Sequence, residues 1–139
     1  MSKSGGCLCA AVSYKTPAEP LAKFICHCIN CQKQSGSAFS MNIIFPKPQF
    51  DFDGPTAIYI DKNATGKDVH RHFCSICGTP LFSTYPHNPD IILLKAGSLS
   101  DAASYEPSAQ IWCDSRQDWV KFADDYPEHG KMPPKGKPL

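Results

Sequence analysis

Short stretches of alternating apolar and polar residues, or of β-branched and aromatic residues, recur along the chain. Strands with one buried face need such alternation, and β-branched and aromatic side chains are enriched in strands. The 13 prolines and nine glycines separate these stretches as turns separate the strands of a β-rich domain. The pattern predicts a mainly β fold of short strands, at 9–16, 39–45, 56–60, 68–73, 80–85, 90–97 and 109–113.

Helical periodicity is confined to two short segments, 28–34 and 101–105, where we expect no more than brief turns of helix. The 139 residues fit one domain of common size, so we predict a single domain over 1–139. The segment GKMPPKGKPL at 130–139 combines Gly, Pro and Lys without an apolar pattern. We predict that this tail is mobile or loosely docked.

Charge and hydropathy argue against two classes of partner. The formal net charge is +1 and no two Lys or Arg residues are adjacent, so the basic surface of a nucleic-acid-binding protein is missing. The longest aliphatic run, Ile91 to Leu94, is far shorter than the ~20 apolar residues that span a bilayer. The first residues, MSKSGG, lack the apolar stretch of a secretory signal. We therefore expect a cytoplasmic protein that binds neither nucleic acid nor membrane.

The cysteines provide the strongest functional signal. In the reducing cytoplasm, eight cysteines cannot be assumed to form disulfides, and metal binding is the better explanation. A secreted disulfide scaffold would space them more evenly. Seven of the eight instead form three tight groups, which are Cys7 with Cys9, then Cys26, Cys28 and Cys31, then Cys74 with Cys77.

The segment CSICG, Cys74 to Gly78, has the spacing of a zinc knuckle. Two intervening residues let both sulfurs reach one ion at ~2.3 Å, and the glycine can adopt the positive φ that closes the turn. A redox CxxC motif would precede a helix in a βαβ unit, and the sequence shows no such unit. Cys7 and Cys9 are the natural second pair, and together the four thiolates predict a closed structural zinc site.

Cys26, Cys28 and Cys31 remain as a second set of three thiolates in one short loop. Three protein ligands are typical of zinc sites that keep a position for water or substrate. Two alternatives would close the site instead, with either Cys113 or His27 as the fourth ligand. Neither is favoured, because Cys113 lies in an apolar segment where cysteine acts as a small hydrophobe. His27 would have to turn its ring toward an ion that both neighbouring residues already bind.

Four motifs together resemble the glutathione-dependent formaldehyde-activating enzyme family, also called the centromere protein V domain family. They are GGCLC at 5–9, CHCINCQKQSGSAF at 26–39, HFCSICGTPLF at 72–82 and SRQDW at 115–119. The resemblance covers about residues 5–126 and implies a β-tent fold with two zinc sites. It assigns Cys7, Cys9, Cys74 and Cys77 to the structural zinc and Cys26, Cys28 and Cys31 to the catalytic zinc. One departure is Ala10, which replaces the glycine that usually follows the second cysteine.

The resemblance implies a zinc-dependent carbon–sulfur lyase that joins or releases a thiol and an aldehyde, with glutathione and formaldehyde as the model pair. His27 could shuttle a proton beside the metal or donate a hydrogen bond that orients the loop. Glutathione carries two carboxylates, so Lys33, Arg71 and Arg116 are candidate binding residues. Trp112, Trp119 and Phe39 are expected in the core or the pocket wall. The oligomeric state is left open.

A second hypothesis is a non-catalytic β-tent zinc module that binds a protein partner, because a fold does not fix a function. It predicts two closed zinc sites and an exposed apolar patch. The catalytic hypothesis predicts one exchangeable ligand and a pocket above the Cys26 loop. No metalloprotease, nucleophile-elbow, phosphate-loop or dinucleotide motif supports another enzyme class.

Overall fold

The computed structural model describes residues 2–136 and 139, which form ten strands and one α-helix. The strands are β1 (Lys3–Gly6), β2 (Ser13–Thr16), β3 (Ala22–Cys26), β4 (Ser40–Pro46), β5 (Asp51–Asp53), β6 (Thr56–Lys62), β7 (Asp68–Cys74), β8 (Pro80–Thr84), β9 (Ile91–Lys95) and β10 (Ala109–Ile111). The helix α1 spans Ile29–Ser35. The predicted fold class, mainly β with short antiparallel strands around cysteine clusters, is confirmed.

Two sheets contain these strands. The smaller has the order β1-β2-β5, and the larger has the order β10-β3-β4-β9-β8-β7-β6. Neighbouring strands are antiparallel except β10, which pairs in parallel with β3. This parallel pair brings a late segment of the chain beside Cys26.

Alternation along the central strands separates two environments. In β4, Ile43 and Phe45 are fully buried in the main core, whereas Asn42 and Ile44 line a cavity on the other face. The main core contains Val12, Tyr14, Leu81, Phe82, Ile92 and Leu94. A second apolar cluster, formed by Phe24, Cys26, Cys31 and Ile111, lies beside the cavity. The large sheet therefore has a core face and a cavity face.

Each predicted strand segment contains a strand, but three strands were not predicted. Strands β1 and β5 are three or four residues long and lack an apolar pattern, so backbone pairing alone identifies them. Strand β3 is buried on both faces and runs directly into the cysteine loop. The segment at 9–16 begins its strand only at Ser13, because the preceding residues form a turn.

Helix α1 matches the prediction for 28–34 to within one residue. It begins after Cys28, whose sulfur accepts a hydrogen bond from the Cys31 N–H at 3.2 Å. It ends at Gly36, which has a left-handed conformation (φ 65°) that glycine adopts without strain. The segment at 101–105 contains only a 3-10 turn, Ala102–Ser104.

The start of the predicted tail is docked by backbone hydrogen bonds. The N–H of Trp112 donates to the Lys131 carbonyl, and the N–H of Asp114 donates to the Gly130 carbonyl. The predicted mobility of the tail also concerns residues 137 and 138, which lie outside the described residues. Among the residues that the structure describes, no helix is long and apolar enough to cross a membrane.

Candidate metal centres and active site

The first candidate site is a cluster of four cysteines from distant parts of the chain. The sulfur atoms of Cys7, Cys9, Cys74 and Cys77 all lie within 4.8 Å of one another. The Cys7 and Cys9 sulfurs are 3.6 Å apart, and those of Cys9 and Cys74 are 3.8 Å apart. A tetrahedral zinc ion with bonds of ~2.3 Å would space its sulfur ligands about 3.8 Å apart. The spacing therefore suits a four-coordinate zinc ion.

The second half of this cluster is the turn that follows β7. The backbone N–H groups of Ile76 and Cys77 point at the Cys74 sulfur from 3.4 and 3.5 Å. Gly78 has φ 77° and its N–H donates to the Cys74 carbonyl, so the positive φ expected from the sequence closes the turn. The Thr79 hydroxyl lies 3.1 Å from the Cys77 sulfur. Such donors stabilise thiolates.

The first half is the turn that precedes β2. The Val12 N–H donates to the Cys7 sulfur at 3.2 Å, and the Cys7 N–H donates to the Val12 carbonyl at 3.0 Å. Ala10, which follows Cys9 in this turn, has φ 65°. This left-handed conformation is strained for alanine, which explains in physical terms why a glycine suits this position.

The four thiols cannot all ionise easily without a cation. Hydrogen bonds from the Thr79 hydroxyl and backbone lower the pKa of Cys77 to about 5. The backbone N–H of Ala11 favours the Cys9 thiolate, yet burial and hydrogen bonds with the other cysteines raise the pKa of Cys9 to about 11. The two pKa values shift in opposite directions because neighbouring thiolates repel one another at short range. A bound divalent cation would remove this repulsion.

The second candidate site combines the end of β3 with the start of α1. The sulfur atoms of Cys26, Cys28 and Cys31 all lie within 4.8 Å of one another. Cys28 caps the helix, and Cys31 follows it by three residues, so both side chains lie on one face of the first turn. Cys26 and Cys31 are buried, whereas Cys28 is partly exposed.

The charge distribution of this cluster also favours a cation. Hydrogen bonds from the thiols of Cys26 and Cys31 lower the pKa of Cys28 to about 2. Hydrogen bonds to Cys28 and Cys31, together with burial, raise the pKa of Cys26 far above its usual range. One thiolate is therefore stabilised at the expense of its neighbours. Three soft sulfur donors at this spacing fit zinc.

In the part of the chain that the structure describes, no further Cys, His, Asp or Glu joins this cluster. Cys113 lies in a separate 3-10 turn, where its N–H donates to the His129 carbonyl. The His27 ring is fully buried, and its Nε2 lies 2.9 Å from the Gln110 Oε1. The ring therefore contacts Gln110 and does not join the three sulfurs as a ligand.

A cavity of about 650 Å³ adjoins the three-cysteine cluster. Its wall combines the three sulfurs with apolar side chains and a few polar groups, including Arg71, Tyr85, Lys95 and Trp112. This size is within the usual range for small-molecule sites. A pocket beside the Cys26 loop is what the catalytic hypothesis predicts.

Trp112 forms part of the cavity wall in an unusual backbone conformation. Its φ of 55° and ψ of 38° are left-handed, which is strained for a bulky side chain. Hydrogen bonds with residues 129–131 hold the strained backbone in place. Such strain is typical of functional sites, and here it directs a large aromatic ring toward the cavity.

The three predicted cationic residues have different locations. Arg71 is buried in the cavity wall, and its Nε donates to the Asp61 carboxylate at 2.9 Å. Lys33 is exposed and lies along a smaller, separate groove. Arg116 forms an ion pair with Glu128 and does not line the main cavity. The structure therefore brings only Arg71 of the three to the cysteine cluster.

Lys95 is a cavity residue that the sequence analysis missed. It is 6% exposed, and burial lowers its pKa, which nearby Cys31 opposes. A signal was available in β9, IILLK, where Ile91, Leu93 and Lys95 share one face by alternation and all three line the cavity. The apolar run of this segment by itself predicts only a buried strand.

Comparisons with known proteins place the chain in a family. A family model described as glutathione-dependent formaldehyde-activating enzyme matches residues 2–115. The chain belongs to this family. One relative is a Halomonas elongata protein that is provisionally named glutathione-dependent formaldehyde-activating enzyme. It is 25% identical to this chain over 128 residues, and the match covers 88% of this chain and 82% of that protein.

A solved structure has a similar fold. The crystal structure of a Rhodobacter sphaeroides protein, a structural genomics target, has a TM-score of 0.55 and 18% sequence identity to this chain. The match covers 70% of this chain and 88% of that chain. At this identity the likeness concerns the fold alone.

Proposed function

We propose that this member of the family is a zinc-dependent carbon–sulfur lyase. It joins or releases a thiol and a small aldehyde, with glutathione and formaldehyde, which form S-hydroxymethylglutathione, as the model pair. The observation that carries the proposal is the cluster of three cysteines in the wall of a 650 Å³ cavity. A site with three protein ligands beside a ligand-sized cavity can accept a substrate thiol.

The two cysteine clusters would divide the roles of the metals. Cys26, Cys28 and Cys31 would hold the catalytic zinc. The structural zinc would be held by Cys7, Cys9, Cys74 and Cys77. A catalytic zinc would lower the pKa of an incoming thiol, so that the thiolate exists at neutral pH.

The residues around the cluster would favour addition of the thiolate to the aldehyde. Apolar side chains of Phe24, Ile44 and Ile111 line the cavity and exclude water from the reacting atoms. The positive charge of Lys95 in the cavity wall attracts acidic substrates.

Tyr85 could supply the proton for this addition. Burial raises the pKa of Tyr85 to about 12, so its phenol stays protonated at neutral pH. The thiolate sulfur bonds to the aldehyde carbon, and the electron pair of the carbonyl moves to oxygen. That oxygen takes the phenol proton, which solvent replaces, and the product is an S-hydroxyalkyl thioether. The reverse sequence releases the thiol and the aldehyde.

A second candidate function is a non-catalytic zinc module that binds a protein partner. The observation that favours this function is an exposed edge strand. Strand β6 lies at the edge of the large sheet and exposes three consecutive large side chains. Ile58, Tyr59 and Ile60 are 52%, 62% and 57% exposed. Edge strands with exposed apolar side chains can pair with other chains.

Cytoplasmic location is part of the proposal. All eight cysteines are free, including close pairs such as Cys7 and Cys9. Free thiols and thiolate metal sites persist in a reducing compartment.

The decisive experiment is the visible absorption of cobalt-substituted protein before and after addition of glutathione. We expect a change in band shape or intensity, because a thiol enters the coordination sphere of the three-cysteine site. The Cys31→Ser variant should lose this response, and the Cys113→Ser control should keep it. An unchanged wild-type spectrum at saturating thiol would indicate closed sites and favour the non-catalytic module.

A further inference from the structure

Lys95 is a buried ammonium group in the wall of the cavity, beside the thiolates of the three-cysteine cluster. Its Nζ donates to the Ser40 Oγ at 2.7 Å and to the Asn42 Oδ1 at 3.3 Å. Within residues 2–136 and 139, no carboxylate forms an ion pair with Lys95. Arg71, the other buried cation of the wall, is neutralised by Asp61.

The sheet register brings this ammonium group close to the cysteine cluster. Lys95 is opposite Asn42, and Ser40, which accepts its shorter hydrogen bond, is opposite Cys26. Directly opposite side chains in an antiparallel pair have Cβ atoms about 5 Å apart. The Lys95 ammonium group is therefore hydrogen-bonded to Ser40, which is paired across the strands with Cys26 of the cluster.

Burial of a charged group is costly, and a leucine or methionine would fill the same volume without this cost. An ammonium group has three N–H donors, and the two contacts with Ser40 and Asn42 use only two of them. Lys95 lines the cavity, so the third donor is available to a ligand there.

We propose that Lys95 binds a carboxylate of the substrate beside the three-cysteine cluster. This inference rests on the proposed lyase function and specifies its substrate class. The compound that reacts at the cluster carries its carboxylate directly on the carbon that bears the thiol or on the reacting carbonyl carbon. Both carboxylates of glutathione are farther from its sulfur, so the substrate is more compact than the model pair suggests.

Isothermal titration calorimetry of zinc-loaded protein tests this substrate class with matched probes. Mercaptoacetate is a thiol with a carboxylate, and 2-mercaptoethanol is its neutral counterpart. Glyoxylate is an aldehyde with a carboxylate, and acetaldehyde is its neutral counterpart. Acetate reports anion binding without either reactive group. The variants are Lys95→Met and Lys95→Gln, of which the second retains a hydrogen-bond donor but not the charge. Lys62→Met is the control, because Lys62 lines the same cavity but is exposed and paired with Asp68.

We expect wild type and Lys62→Met to bind at least one acidic probe about tenfold or more tightly than its neutral counterpart. The Lys95 variants should lose this preference and bind the neutral probe unchanged. The pair that shows the effect identifies the thiol or the aldehyde as the acidic partner.

Three results would overturn the proposal. They are equal weakening of acidic and neutral probes, an acidic preference that survives in both Lys95 variants, and failure of both variants to fold. The proposed function has a separate outcome. If wild type binds neither thiol but binds acetate in a Lys95-dependent way, the anion site is supported and the lyase function is not.

Discussion

The sulfur atoms of Cys9 and Cys74 lie 3.8 Å apart, although 65 residues separate them in the chain. Cys9 lies in the turn before β2, and Cys74 is the buried last residue of β7. A hydrogen bond from the Leu8 N–H to the Thr79 hydroxyl joins this turn to the turn after β7. A metal ion bound by both turns would therefore link the N-terminal sheet to the end of β7. Its binding energy would in effect be folding energy.

Replacement of Cys74 by serine should abolish this link. We expect the variant to lose one zinc equivalent and at least about 4 kcal/mol of unfolding free energy, because loss of a structural metal is among the most damaging single changes. Urea denaturation and metal analysis measure both effects. Cys113→Ser is the control and should change stability by less than about 1 kcal/mol. Equal stability of the two variants would contradict the structural role of the four-cysteine cluster.

Replacement of Cys31 by serine should separate function from folding. The three cysteines of its cluster lie within a six-residue segment. Loss of their metal would therefore disturb one local segment and break no link between distant segments. We expect loss of one zinc equivalent and of thiol binding, with a destabilisation of about 1–2 kcal/mol. Metal analysis, thiol titration and thermal unfolding check this result. A variant that unfolds as readily as Cys74→Ser would show that the site is structural.

Ala10→Gly should stabilise the protein. The left-handed backbone at Ala10 costs about 1–2 kcal/mol, and glycine would remove this cost. The greater flexibility of glycine in the unfolded chain offsets part of the resulting stabilisation. We expect a net stabilisation of about 0.5–1 kcal/mol in urea denaturation. Gly78→Ala is the reciprocal test, since its φ of 77° has the same sign and an added Cβ meets no atom within 4 Å. It should destabilise by about 1 kcal/mol, and effects of the opposite sign would refute the conformational explanation.

Tyr14 should make stability fall in alkaline solution. Burial raises the pKa of Tyr14 from 10 to about 12, although its hydrogen bond with Ser98 opposes the shift. Above pH 10 the unfolded state therefore loses this proton while the folded state keeps it. The stabilisation is fully present below pH 10 and declines, by about 2 kcal/mol, as the pH rises to 12.

The variant Tyr14→Phe tests this pH dependence. Unfolding free energies measured between pH 9 and about 12 should fall less steeply for Tyr14→Phe than for wild type. At neutral pH the variant should lose about 1 kcal/mol with the hydrogen bond to Ser98. Tyr59→Phe, which removes an exposed phenol, is the control variant. Identical slopes for wild type and Tyr14→Phe would exclude this origin of alkaline sensitivity.

The sequence could predict features that depend on local spacing. The two residues between Cys74 and Cys77, the glycine after them and the alternation in β4 each have a direct structural meaning. The division of seven cysteines into groups of four and three likewise follows from their separation in the chain. These features require no knowledge of which strands become neighbours.

Features that depend on strand order could not be predicted in this way. Arg71 reaches the cavity because β7 is in the large sheet, whereas Lys33, only two residues from Cys31, points to another groove. Lys95 approaches Cys26 only through the register of β9, β4 and β3. Nearness to a motif in the sequence was therefore a poor guide to the cations of the site.

The two clusters also differ in when they can form during protein synthesis. The ligands of one cluster are all present once Cys31 has left the ribosome, and they require only the first turn of α1. The other cluster must wait for Cys77 and for the pairing of distant segments. If both clusters hold metal ions, an emerging chain can thus capture one at the three-cysteine cluster first, and it would acquire the second only when the two halves of the fold meet.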